Sequence, residues 1–262
     1  MLFAELEGHP GASVVLLHAH PDDETLATGG LMAQLVREGY RVVLVTGTRG
    51  ERGEVVPGPL KHLESTAELG PVRIGELDAA MRALGVTDHR FLGATPDAGS
   101  AGARASGLPP RRYSDSGMQW GPTGAAVAAA DAPADALSLA PLDEIVGDVL
   151  AVVSDVTPRL LVSYDASGGY GHPDHVRMHD AAVVASRLVG IPLYAVVSDW
   201  NGDASTEPGD VVVPLGPERG AKFAALAAHS TQLSVDGGAI VLSGGQRHTV
   251  DDNEVYRRFP TL

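Results

Sequence analysis

The sequence predicts an α/β protein with a Rossmann-like, doubly wound and mostly parallel sheet. Short β-branched or aliphatic runs alternate with longer amphipathic stretches, which is the pattern of βα units feeding a parallel sheet. Glycine or proline closes several of the amphipathic stretches, as helix stop signals do. At 262 residues and 44% hydrophobic content, the chain can bury the substantial core of one large α/β domain, expected to span residues 1–262.

The elements follow in order. Ser13 to Leu17 reads as the first strand. Thr25 to Glu38 places Leu26, Met32, Leu35 and Val36 mostly on one helical face, and Gly39 stops the helix before a second strand, Arg41 to Val45. Ile74 to Leu84 is a helix ended by Gly85, and His89 to Leu92 is a short third strand. Leu142 to Val156 is a helix closed by Pro158, and Leu160 to Tyr164 is a buried fourth strand. A helix over Val176 to Leu188 and a fifth strand over Pro192 to Val197 complete the alternation. Glu218 to His229 is helical, and Gly237 to Gly245 suggests a hairpin with Ala239 to Leu242 as one strand. Between residues 94 and 141 the composition shifts to Gly, Ala, Pro and Ser. An excursion of this length inside a compact domain reads as a lid or binding segment for substrate, with partial disorder as the competing reading.

Composition narrows the chemistry. With no cysteine in the chain, thiolate metal sites, disulfides and a cysteine nucleophile are excluded, so any metal must be held by His, Asp or Glu. The formal charge of −14 opposes binding to phosphate backbones and anionic membranes, so no nucleic-acid or membrane partner is expected. No run approaches the length needed to span a bilayer, and Met1 to Gly11 lacks a signal-peptide pattern, which leads to the expectation of a soluble, cytoplasmic protein. A homo-oligomer is compatible with all of this.

Two segments concentrate the ionisable groups. His18-Ala19-His20-Pro21-Asp22-Asp23-Glu24 follows the first strand, and Gly168-Gly169-Tyr170-Gly171-His172-Pro173-Asp174-His175 follows the fourth. In the commonest doubly wound order the first and fourth strands are neighbours across the topological switch point, where ligands bind beyond the carboxyl ends. Imidazoles and carboxylates would then face each other, a donor set that suits Zn²⁺ in the absence of thiolates. Either His-Pro-Asp segment alone is as readily a helix cap. The pair at adjoining strand ends favours a metal site.

His20-Pro21-Asp22-Asp23-Glu24 together with His172-Pro173-Asp174-His175 resembles the paired signature of the LmbE-like (PIG-L) zinc deacetylases. Thr48 to Glu54 resembles their glycine and glutamate loop, and Arg73 to Leu77, Ser114 to Met118 and Lys222 to His229 are similar to the mycothiol-biosynthesis branch. The resemblance spans about residues 13 to 233. It implies hydrolytic removal of the acetyl group from an N-acetylglucosamine-containing small molecule, such as a glucosaminyl inositol. It also implies Zn²⁺, or Fe²⁺ or another divalent metal, on His20, Asp23 and His175. Asp22 would be the base that takes a proton from the water the metal activates. His172 would stabilise the oxyanion or protonate the leaving amine, with Asp174 as its orienting partner and Tyr170 reaching the same oxygen. Arg73 and Asp115 match positions that hydrogen-bond sugar hydroxyls.

Other residues take plainer readings. His18 is expected to be a neighbour of the site rather than a ligand, and His229 a helix-end residue favoured by the dipole. The glycines near residues 47 to 53 do not follow the first strand as Gly-x-Gly-x-x-Gly and lack a Walker lysine, which argues against a nucleotide-dependent enzyme. Two alternatives are an amidase of mycothiol-type thiol conjugates and a catalytically silent carbohydrate-binding relative. Ala27 stands where the amidase branch has a lysine, against the first; the intact Asp22 and ligand set stand against the second. After Trp200 the chain leaves little room for the extended segment that closes the substrate cavity in the mycothiol branch.

Overall fold

The computed structural model describes residues 2–93, 111–120, 126–197 and 206–260. In chain order these form β1 (Ser13–His18), α1 (Asp23–Arg37), β2 (Arg41–Thr46), α2 (Leu69–Leu84), β3 (Asp88–Phe91), β4 (Met118–Trp120), β5 (Ala126–Ala128) and α3 (Leu142–Val156). They continue with β6 (Leu160–Ser163), the single turn α4 (Gly168–Gly171), α5 (Pro173–Val189), β7 (Leu193–Val196), β8 (Val211–Pro214) and α6 (Arg219–Ala228). The last strands are β9 (Leu233–Asp236), β10 (Ala239–Leu242), β11 (Arg247–Thr249) and β12 (Asn253–Arg258). No helix among the described residues is long and apolar enough to cross a membrane.

The main sheet has seven strands in the order β3-β2-β1-β6-β7-β12-β8. β3, β2, β1, β6 and β7 are parallel, and β12 runs antiparallel between β7 and β8. β1 lies at the centre because helices cover both of its faces, which is why it reads as a continuous apolar run rather than an alternating one. Val14 and Leu16 face a core with Leu31, Leu35, Leu77 and Met81 of α1 and α2. Val15 and Leu17 face the opposite core, with Ile145 and Val149 of α3 and Met178 and Ala182 of α5. β1 pairs with β6 in the register Val14↔Leu160 to Leu16↔Val162, so the expected adjacency of the first and fourth strands is realised.

Several expectations need correction. α2 begins at Leu69 rather than at Ile74 and takes in Gly70 and Pro71; proline is tolerated there because first-turn N–H groups have no intrahelical acceptor. α5 begins at Pro173, a proline at the first helical position, rather than at Val176. The terminal hairpin belongs to a three-stranded sheet, β11-β10-β9. β12 carried no recognisable strand signal because one of its two buried side chains is Glu254.

Glu254 has a specific task. Its Oε1 and Oε2 each accept a mid-helix N–H of α1, from Gly30 and Leu31, at 2.7 Å. Lys222 of α6 donates to Glu254 Oε1 at 2.7 Å and to the Leu26 carbonyl at 2.9 Å, while the Tyr256 hydroxyl donates to Glu254 Oε2 at 2.7 Å. Buried charge is tolerated only when paired and fully hydrogen-bonded, and this cluster meets that condition. Gly30 makes room for it: a Cβ there would lie 2.2 Å from Leu215 Cδ2 and 3.0 Å from Glu254 Oε1. The cluster ties α1 to β12 and α6, and α1 begins in the candidate site.

Candidate active site

The site forms where β1 and β6 end side by side. Past His18 the chain crosses Ala19 to Asp22 and enters α1 at Asp23; past Ser163 it turns through Asp165 to Ser167 into α4 and α5. His20 Nδ1, Asp23 Oδ2 and His175 Nε2 meet there, each 3.2 Å from the other two. His175 Nδ1 must carry a proton, because it lies 3.1 Å from the Gly168 carbonyl, which can only accept. His20 Nε2 lies 3.1 Å from Asp174 Oδ2, so a proton belongs there as well. In the tautomers these partners select, two imidazole lone pairs and a carboxylate oxygen converge. Such ligands sit about 2.0–2.2 Å from Zn²⁺, so three of them on one tetrahedral ion would be roughly 3.4 Å apart. The separations fit.

Burial favours neutral His20, but the carboxylates of Asp115, Asp174 and Asp23 outweigh it and raise its pKa. A metal and a proton would compete for the Nδ1 lone pair of His20. Tyr164 steadies the cluster from behind, donating its hydroxyl to Asp23 Oδ2 at 2.7 Å and stacking on His175 with centroids 4.2 Å apart. A strand-end aromatic gave no sequence signal for this role.

Asp22 and Asp23 are adjacent in sequence but face different partners. Asp22 adopts φ 119° and ψ −34°, outside the regions an L-residue prefers, a strain of about 1–3 kcal/mol that the surroundings must hold. Its Oδ1 accepts from Arg73 Nη2 at 3.0 Å, and burial pushes its carboxyl up to about 6 despite the opposing pull of Arg73. Arg73, buried, also donates to the Gly50 carbonyl at 2.7 Å and to the Pro21 carbonyl. Gly50, at φ 63°, is required because a Cβ would lie 2.1 Å from the Arg73 guanidinium. The glycine loop after β2 is thus the seat of an arginine.

His172 has a different environment from His20. It is the N-cap of α5, and its Nδ1 accepts the Asp174 backbone N–H at 3.2 Å. An N–H can only donate, so the ring's proton lies on Nε2. Burial, followed by His20 and His175, lowers its pKa to about 2, and the ring stays neutral. Tyr170 stands edge-on to His175 with centroids 5.2 Å apart, and burial raises its phenol so that it stays protonated.

The Asp174 carboxylate corrects one expectation. It holds His20 rather than His172, which it meets only through its backbone N–H. Ser116 in turn holds Asp174, donating its backbone N–H to Oδ2 at 3.0 Å and its hydroxyl to Oδ1. Ser138 lies 2.7 Å from the Ser116 hydroxyl. Ser116 lies in the stretch Ser114 to Met118 that resembles the mycothiol branch but carried no role of its own in the sequence, and Ser138 was not marked. Asp115, buried, accepts the backbone N–H groups of Arg52 and Gly117 at 3.1 and 2.8 Å, and its Oδ1 lies 3.7 Å from His20 Nε2. Arg73 and Asp115 therefore both have protein partners in the site wall. His20, Asp115, His172 and Asp174 also form a second buried group of donors close enough to share an ion.

Of the expected lid, residues 94–110 and 121–125 lie outside the described residues. Of the described part, the stretch from Arg111 to Gly117 lies against the site through Asp115 and Ser116. His18 is a neighbour as expected: it is buried, and Nε2 lies 3.0 Å from the Thr28 hydroxyl. His229 is more than a helix end. Its ring is fully buried, with Nε2 2.9 Å from Glu24 Oε1.

The fold is that of known deacetylases. N,N'-diacetylchitobiose deacetylase from Pyrococcus horikoshii superposes with a TM-score of 0.61, covering 99% of this chain and 87% of that one at 18% identity. A deacetylase of the teicoplanin biosynthesis pathway superposes with a TM-score of 0.60, covering 94% of this chain and 97% of that one at 21% identity. Sequence similarity is closer. A 1D-myo-inositol 2-acetamido-2-deoxy-alpha-D-glucopyranoside deacetylase of Streptomyces avermitilis is 36% identical over 94% of this chain and 92% of its own length. The family model described as PIG-L, GlcNAc-PI de-N-acetylase, matches residues 15–186, and the chain belongs to that family. It is accordingly a hydrolase of N-acetyl amides.

Proposed function

We propose that the chain removes the acetyl group from an N-acetylglucosaminyl glycoside, with an inositol glycoside as the favoured substrate, and that a divalent metal, zinc by its donor set, is held by His20, Asp23 and His175. The observation that carries this reading is the mutual 3.2 Å approach of His20 Nδ1, Asp23 Oδ2 and His175 Nε2. The 36% identity to the Streptomyces enzyme supports the sugar. When bound, the ion supplies Lewis acidity, polarising an amide carbonyl and easing deprotonation of water.

The remaining chemistry falls to side chains. Asp22 takes the proton of the attacking water as oxygen bonds to the amide carbon. His172, neutral with its proton on Nε2, donates a hydrogen bond to the developing oxyanion, a role that needs a fixed donor rather than a mobile proton. The protonated Tyr170 hydroxyl serves the same oxygen. Asp22 then returns its proton to the amine nitrogen as the C–N bond breaks, releasing the amine and acetic acid, which passes its remaining proton to the amine or to solvent to leave as acetate. Asp174 and Asp115 orient His20, the usual service of carboxylates to a metal-binding imidazole. Arg73 aims Asp22. Within the excursion, the described stretch from Arg111 to Gly117 borders the substrate on the side of Asp115.

The test is amine release from N-acetylglucosaminyl inositol, other N-acetylglucosaminides and S-conjugates of cysteinyl amides, with zinc restored. Higher kcat/KM on the inositol glycoside than on any S-conjugate is expected. The opposite ranking would assign the chain to conjugate hydrolysis, and no amine release from any of them would sink the proposal.

A further inference from the structure

The strained backbone of Asp22 is held by a buried group the reaction itself does not use. Glu24 is fully buried, and its Oε2 accepts the Asp22 backbone N–H at 2.9 Å. Its Oε1 accepts the Thr25 hydroxyl at 2.5 Å and lies 2.9 Å from His229 Nε2. His229 comes from the end of α6, 205 residues away in sequence, and is also fully buried. Its Nδ1 has no hydrogen-bond partner among the described residues, so the ring is directed at Glu24 and Thr25. A glutamate that merely capped a helix would sit at the surface, where water screens it at little cost. Here a carboxylate and an imidazole are both removed from water to meet beneath one peptide group.

That peptide group decides where the Asp22 side chain goes. With φ at 119°, Asp22 makes no cap bond to α1 and turns to Arg73, while Asp23 turns to His20, His175 and Tyr164. We propose that Glu24 and His229 are positioning residues, a buried clasp that keeps Asp22 in this conformation and so separates the proton-accepting carboxylate from the metal-holding one. The proposal rests on the reading of Asp22 as the base. Thr25 completes the clasp by orienting Glu24.

A double-mutant cycle tests it, with N-acetylglucosaminyl inositol as substrate and with metal content and thermal unfolding measured for every variant. Glu24→Ala and His229→Ala should each lower kcat by about 10- to 100-fold while KM and bound zinc change less than twofold. Glu24→Gln, whose amide oxygen can still accept the Asp22 N–H, should recover most of the loss. In an Asp22→Asn background, itself down by about 10²- to 10⁴-fold as expected for a lost base, Glu24→Ala should cost less than threefold more. Full additivity of the two losses, or zinc loss in step with kcat, would overturn the clasp while leaving Asp22 as base. Near-normal turnover in Asp22→Asn alone would instead remove the base assignment, and the clasp with it. Should Glu24→Ala fail to fold, His229→Gln in the same cycle gives the same discrimination.

Discussion

The tripeptide His-Pro-Asp occurs at both strand ends, and the two copies do opposite things. After β1, the helix begins beyond the aspartate: Asp22 is the N-cap, at positive φ. After β6, the helix begins at the proline: His172 is the N-cap, at φ −57° and ψ 128°. This two-residue shift of helix start reverses the character of the histidines. His172 accepts a backbone N–H at Nδ1 and can only offer a proton from Nε2. His20 stands clear of its helix, gives its Nε2 proton to Asp174 and turns Nδ1 toward Asp23 and His175. The aspartates diverge too, Asp22 mostly buried beside Arg73 and Asp174 fully buried against His20 and Ser116. A motif's chemistry therefore depends on its register against the helix as well as on its residue types.

The largest effect should come from breaking the lone-pair side of this comparison. His20→Ala and His175→Ala should each reduce bound zinc to below a tenth of an equivalent and abolish measurable amine release, as elemental analysis and a turnover assay will show. Retention of zinc by either variant would mean that the ion sits in the neighbouring group of Asp115, His172 and Asp174 instead.

The proton-donating side should give a smaller loss with a different signature. His172→Ala should retain zinc and lose about 10²- to 10³-fold in kcat, the usual contribution of one oxyanion donor. Because the His172 pKa is lowered to about 2, the ring is neutral throughout the working range and sets no limb of the pH profile. Asp22, pushed up to about 6, must be ionised to act as base, so activity should fall as pH drops through 6, or lower once a cation beside it favours the carboxylate. The His172→Ala variant should keep that acidic limb in place. A limb that moved or vanished would make His172 a titrating acid.

The finest test concerns what holds His20. Ser116→Ala removes the hydroxyl that steadies Asp174, and zinc affinity measured by competition with a chelator should weaken about 10- to 100-fold, the range for partners of metal-binding histidines. Turnover at saturating zinc should change little. An unaltered affinity would show that the backbone N–H of Ser116 suffices.

Much of the architecture was legible because it follows local rules. β1, β2, β6 and β7 are apolar runs bounded by turn residues, and α3 and β10 have the boundaries their patterns predict. Elements whose pattern is interrupted were shortened or missed: α2 lost its first turn to Gly70-Pro71, and β12 was hidden by a buried glutamate that makes sense only once Lys222 and α1 are beside it. The same division runs through the site. Dense segments such as His20 to Glu24 and Gly168 to His175 announced themselves by composition, whereas Tyr164, Ser116 and Ser138 are single residues in ordinary surroundings.

By itself, then, the sequence determined which residue types stand at the carboxyl ends of adjoining strands, because periodicity and turn chemistry act over a few residues. Only the tertiary structure decided which nitrogen of His20 carries the proton, which of two identical aspartates faces Arg73, and that Asp174 serves His20. Those outcomes depend on hydrogen-bond partners between 51 and 205 residues apart, such as Arg73 with Asp22 and His229 with Glu24. Local propensity carries no information about which distant donor will arrive, and a proton goes where that donor or acceptor allows.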